Sequence, residues 1–115
     1  MLPKVNRLQD SSQFNLTTKT GSRFSSESLH IYALPNKGSH TQVGFIVNRQ
    51  VGGSVTRHLV SRKLRHNFAN EIPKLSQNLI LVVRVLKARS NYRSEVVSLI
   101  GKINNKFANS NKADA

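Results

Sequence analysis

The stretch NLILVVRVL, residues 78–86, constrains the fold more than any other part of the chain. A nearly continuous apolar run of strand length has no face to give to water. It therefore reads as a strand covered on both sides or lying near the centre of a sheet, with Arg84 as its interruption. The segments around it show other periods. SLHIYAL alternates, with Leu29, Ile31 and Ala33 on one face and His30, Tyr32 and Leu34 on the other. PNKGSH is turn chemistry, expected to close a hairpin onto QVGFIVN, whose Val43, Phe45 and Val47 share a face opposite Gly44 and Ile46. TKTGSRF reads as a turn entering a short strand, and the polar QDSSQ between Leu8 and Phe14 allows at most a short helix. Between Tyr92 and Ala108, Val96, Leu99, Ile100, Ile103 and Phe107 recur at helical spacing as a core face. The order αβββαβα predicts an α+β two-layer sandwich with helices packed on a four-stranded sheet.

A chain of 115 residues is expected to form one domain, here residues 1–108, with the small, polar and aperiodic residues 109–115 as a disordered tail. There is no cysteine, which excludes disulfides and thiolate metal sites. MLPKVNRLQD lacks the apolar run of a signal peptide and no stretch approaches a membrane span, so a soluble cytoplasmic protein is expected, with no membrane partner.

Eighteen Lys and Arg oppose five acids, a net charge of +13. The acids are Asp10, Glu27, Glu71, Glu95 and Asp114, so residues 28–70 contain none, while the same window holds all four histidines and six Lys or Arg. Solubility alone is better served by acids or mixed signs. A field of one sign is usually matched to a polyanion, and nucleic acid is the favoured partner over an anionic membrane or an acidic protein.

The charge is concentrated in VGGSVTRHLVSRKLRH, residues 51–66. Gly52-Gly53 ends the preceding strand, Ser54 is a plausible N-cap, and a helix is expected from about Val55 to Phe68. On a helical wheel Val60, Leu64 and Phe68 form the inward face, and Arg65, His58, Arg62, His66 and Lys63 spread over the opposite arc. Arg57 lies above the apolar stripe at the first turn. Guanidinium forks suit phosphate, and the free amides at the helix start add an anion site. If about five of these groups neutralise phosphates, log affinity should fall against log salt with a slope of roughly −3.5 to −4.5. On the sheet, Tyr32 and His30 share a face that Phe14 is placed to reach, a stacking platform for unpaired bases; core packing of Phe14 is the equal alternative.

Catalysis by the protein itself is not expected. Metal-dependent nucleases cluster their carboxylates, and here the acids are scattered singly. No carboxylate stands near a histidine in sequence to orient it for acid–base work or for a zinc site. A DNA-reading helix-turn-helix would show a helix just before the basic one, where this chain has a strand.

Taken in order, Arg7-Leu8, Phe14, Gly21, Tyr32, the VGF at 43–45, the VGGSV at 51–55 and the helix with Arg57, Arg62 and Arg65 resemble the bacterial ribonuclease P protein subunit family, over about residues 7–88. Arg57, Arg62 and Arg65 match the family's signature helix, whereas His58 stands for an Asn, Leu59 for an Arg and Ser61 for a Lys. Lys63 and His66 partly restore the charge without the fork geometry of Arg. Arg84 matches an arginine late in the fourth strand, and Arg49 a basic residue before the helix. The resemblance implies a mixed sheet with a left-handed βαβ crossover and an accessory role in removing the 5′ leader of precursor tRNA. It also implies that Arg49, Arg57, His58, Arg62, Lys63 and Arg65 meet the catalytic RNA, and that Phe14, His30, Tyr32 and Arg84 line a cleft for the leader. No cofactor is expected on the protein; Mg2+ is expected in the ribonucleoprotein, held by RNA, where it does the chemistry. The alternatives are a structural RNA-binding protein of ribosomal type, a DNA-binding regulator and a self-contained ribonuclease.

Overall fold

The computed structural model describes the backbone of residues 3–36, 38, 40–75 and 77–114, and side chains as far as Phe107. The elements are α1 (Ser11–Thr20), β1 (Ser22–Ser25), β2 (Leu29–Pro35), β3 (Gln42–Ile46), α2 (Ser54–Glu71), β4 (Leu79–Val85) and α3 (Arg93–Asp114). Single 3-10 turns at Arg49–Val51 and Ile72–Lys74 flank α2. Among the described residues no helix is long and apolar enough to cross a membrane.

The four strands form one mixed sheet in the order β1-β2-β4-β3, with β3 and β4 parallel and the other pairs antiparallel. This corrects the expected β2–β3 hairpin. β4 is buried on both faces, with Leu79, Leu81, Val83 and Val85 on one and Ile80 and Val82 on the other. A strand with no polar face gains most at the centre of the sheet and displaces β3, whose outward residues include Gln42 and Gly44, to the edge. Asn36 and Gly38 still make a turn contact, the Gly38 amide donating to Asn36 Oδ1 at 3.0 Å, and both residues bond to Asn78 just before β4. The Asn36 amide nitrogen donates to the Asn78 carbonyl at 3.0 Å, and the Asn78 side chain donates to the Gly38 carbonyl at 3.2 Å. Lys37 and Ser39 lie outside the described residues.

One face of the sheet carries the main core. Leu29, Ile31, Ala33, Val43, Leu81 and Val83 pack beneath Val60, Leu64 and Phe68 of α2 and Val96, Leu99, Ile100 and Ile103 of α3. Each Val, Leu, Ile and Phe among them contributes about 1.5–3 kcal/mol relative to exposure. The Phe68 ring meets Phe45 edge-on at 5.7 Å, fixing α2 against the β3 edge. On the opposite face α1 adds a partial third layer: Leu8, Ile80 and Val82 are buried there, with Phe14, Tyr32 and Ile46 packed around them.

Helix boundaries differ from expectation at three places. α1 runs ten residues because Asp10 caps it, its carboxylate accepting from the Ser12 amide at 2.9 Å. At α2 the N-cap is Gly53 rather than Ser54, and no side chain caps the first turn. Gly52 reaches that turn at φ 155°, a conformation that favours glycine. α3 runs past the expected end near Ala108 to Asp114, and no Gly or Pro after Gly101 stops it.

Candidate nucleic-acid interface

The inward stripe of α2 sets where its cations point. With Val60, Leu64 and Phe68 buried, Arg57, Ser61 and Arg65 fall half-buried along the β3 side, and His58, Arg62 and His66 are exposed on the outward side. Lys63 is half-buried, and Arg49 is exposed in the 3-10 turn ahead of the helix. Among the described residues, no carboxylate lies within salt-bridge distance of Arg49, Arg57, Arg62, Lys63 or Arg65. The Arg57 Nε is buried and has no hydrogen-bond partner. A buried, unpartnered guanidinium nitrogen is costly unless an acceptor arrives from outside. It stands beside Ser54 and His58 at the uncapped start of α2, where the helix dipole also favours an anion.

The described carboxylates are all engaged, and only Glu71, the last residue of α2, lies on that helix. Asp10 caps α1, and Glu71 pairs with Lys74 at 3.2 Å. Glu27 pairs with Arg89 at 2.7 Å and Lys87 at 3.4 Å, and these cations hold its carboxyl below the usual carboxylate range. Glu95 accepts from Ser26 Oγ at 2.6 Å and the Ser28 amide at 2.8 Å. Arg89 also donates to Ser28 Oγ, and the buried Tyr92 hydroxyl donates to the Lys87 carbonyl at 2.7 Å and accepts from the Arg89 amide at 3.0 Å. These contacts clamp the β1–β2 turn to the β4–α3 loop, taking negative charge away from α2. Among the described residues no group of three or more His, Asp or Glu is placed to hold a metal ion.

The second surface is the sheet face beside α1. Register places Arg23, Tyr32, Val82 and Gly44 in one row across the four strands, and Ser25, His30, Arg84 and Ile46 in the next. Arg23 and Arg84 are exposed, and His30 and Tyr32 are half-buried between them. Partial burial, then the positive charges of Arg23 and Arg84, hold the His30 imidazole below its usual pKa. Phe14 does not join His30 and Tyr32 directly. Its ring lies over Gly44, where an added Cβ would sit 2.1 Å from Phe14 Cζ. That is two strands from Tyr32, roughly 10 Å away at the usual strand spacing. Phe14 and Tyr32 thus flank Val82, each packed partly into the minor core. Tyr32 has more apolar neighbours than its own strand suggested, because Val82 stands directly opposite it.

The structure therefore brings His30, Tyr32 and Arg84 together, sets Phe14 at the far side of the same face, and collects Arg57, His58, Arg62, Lys63 and Arg65 on α2. A groove lined by Arg7, Phe14, Gly44, Phe45, Ser61 and Arg65 wraps the β3 edge and joins the two surfaces. Sequence reasoning missed Arg23 and Arg7. The alternation SRFS, with Phe24 inward, was the available signal for Arg23. Arg7 opened the resemblance but was given no role there, and its place at the site follows from a parallel bridge to Val43 on the β3 edge.

Fold and surface together define an α+β polyanion-binding protein: a helix that carries no acid from Ser54 to Asn70 connects the two parallel strands beside a cationic, partly aromatic sheet face. Comparison with known proteins makes this specific. The sequence profile described as "Ribonuclease P" matches residues 2–106. The ribonuclease P protein component of Mycobacteroides abscessus is 39% identical over 97 residues, covering 78% of this chain and 76% of that protein. That of Corynebacterium diphtheriae is 33% identical over 118 residues, covering 92% and 99%. The solved RNase P protein of Staphylococcus aureus superposes with a TM-score of 0.66 at 19% identity, covering 91% of this chain and 96% of that one. The RNase P protein of Thermotoga maritima gives 0.63 at 21%, covering 90% and 92%. The chain belongs to the family of ribonuclease P protein components, the protein part of a tRNA-processing ribonucleoprotein enzyme.

Proposed function

We propose that residues 1–108 act as one RNA-binding domain with two contacts. The α2 face, with Arg49, Arg57, His58, Arg62, Lys63 and Arg65, docks on the catalytic RNA of ribonuclease P. The sheet face, with Phe14, His30, Tyr32 and Arg84 and extended by Arg23, receives the single-stranded 5′ leader of precursor tRNA. The observation that carries the reading is the stretch of α2 from Ser54 to Asn70, which holds no acid, with the Arg57 Nε buried and unpartnered at an uncapped helix start. Such a group is stabilised when a phosphate oxygen supplies the missing acceptor.

The protein's part is grip and counter-charge. Its described residues offer no cluster of ligands for a metal ion, so no step is assigned to a protein-bound metal. Mg2+ in the ribonucleoprotein is proposed to be held by the RNA and to carry out hydrolysis there. The setting proposed is the cytoplasm.

The test is cleavage of precursor tRNA at low Mg2+ by the same organism's ribonuclease P RNA, with and without the protein. Stimulated release of the intact leader is expected, and Arg62→Ala/Arg65→Ala should lose it. RNA binding without stimulation would replace this reading with that of a structural RNA-binding protein.

A further inference from the structure

The outward face of α2 carries a second helical pattern. Val55, His58, Leu59 and Arg62 stand at i, i+3, i+4 and i+7 and line one shallow depression with Ser54. Val55 is 82% exposed and Leu59 47%, the two large apolar side chains that α2 presents to solvent. A lone exposed apolar side chain is ordinary. Here two adjoin on a cationic face, framed by an imidazole and a guanidinium. An apolar floor with flat cationic groups at its edges suits the face of a nucleobase whose own phosphates need neutralising.

We propose that this patch seats one unstacked nucleobase of the RNA that α2 binds. Leu59 and Val55 meet the face of the base, while His58 and Arg62 flank it and reach the adjoining phosphates. The inference rests on the RNA-docking role proposed for α2 and deepens it by adding a base contact to phosphate contacts. Charge selects this occupant over others. Residues 28–70 hold no carboxylate to meet the basic groups of an ordinary mixed-charge protein surface. A second copy would bring another +13 against the same face. A base inside a duplex hides its faces, so the base must come from a loop, bulge or unpaired strand.

Leu59→Gln removes the apolar contact without changing charge or helix propensity much. The assay measures affinity for the ribonuclease P RNA of the same organism across a salt series, with base-specific chemical probing of the free and bound RNA. Leu59→Gln is expected to weaken binding about five- to twentyfold at every salt concentration. The slope of log affinity against log salt stays that of the wild type, because an apolar contact releases no counterion. One nucleobase protected by the wild-type protein becomes reactive. Arg62→Gln, by contrast, makes the slope shallower by about 0.7–0.9. The thermal midpoint of Leu59→Gln should match the wild type, since the side chain is exposed. Wild-type affinity with every protection retained in Leu59→Gln overturns the base-seating inference alone. Failure of the wild-type protein to bind that RNA overturns the RNA-docking role, and the inference with it.

Discussion

Gly44→Ala tests how α1 is seated on the sheet. The missing Cβ at residue 44 is where the Phe14 ring rests: an added methyl would lie 2.1 Å from Cζ, 2.5 Å from Cε1 and 2.9 Å from Cε2. All three are far inside van der Waals contact, so the ring must swing off the strand. Its tip can move, so the backbone holds, but the ring gives up its packing against the minor core around Val82. Overpacking of this kind costs about 1–3 kcal/mol. The movable ring tip puts the value near the lower end, about 1–2 kcal/mol. For a domain of this size that lowers the thermal midpoint by about 4–12 °C. Urea unfolding followed by far-ultraviolet circular dichroism reads it directly. In a Phe14→Ala background the clash is gone, and Gly44→Ala should cost almost nothing. The double-mutant cycle should therefore show a coupling of about 1–2 kcal/mol. Effects that add to within about 0.5 kcal/mol would refute the close approach as the reason residue 44 is a glycine. The single variant should also weaken leader-dependent stimulation of cleavage, because the displaced ring enters the groove at the β3 edge.

Three further outcomes follow from the same contacts. Replacing Arg57, Arg62 and Arg65 together by Gln should make the slope of log RNA affinity against log salt shallower by about 2–3, and an unchanged slope would show that these groups do not neutralise phosphate. The folded protein holds His30 below its unfolded pKa, so the unfolded chain binds more protons and stability falls as pH drops from about 6.5 through the folded value. A leader phosphate beside His30 opposes that shift, so leader binding should take up a proton and tighten over the same pH range; His30→Gln should abolish this pH dependence in fluorescence titrations with a leader oligonucleotide. Tyr92→Phe leaves the Lys87 carbonyl and the Arg89 amide without their partner and should cost about 1–3 kcal/mol in urea unfolding, with RNA affinity unchanged below the transition.

Much of the site was legible in the chain because it is written in local periods. The inward triplet Val60, Leu64 and Phe68 fixes the orientation of α2, and the cations follow at known angles from it. The alternation in SLHIYAL likewise put His30 and Tyr32 on one face, as the register shows. Phe14 resisted such reading. Its position depends on Gly44 being bare and on β3 lying at the edge, two facts separated from it by thirty residues of chain.

By itself the sequence determined the element types, the inward and outward faces, and the separation of acids from the basic helix, since periodicity and charge are properties of neighbouring residues. It also required β4 to be covered on both sides or to lie near the centre of a sheet, because a strand apolar on both faces has no side to give to water. Only the tertiary structure decided that β4 enters between β2 and β3, which turned an expected hairpin into a parallel pair joined across α2. That insertion set Arg84 beside His30 and drew Arg7 and Arg65 to one edge, while the β1–β2 register brought Arg23 into the same face. Strand order is a competition among long-range burials, and no local pattern records which strand wins.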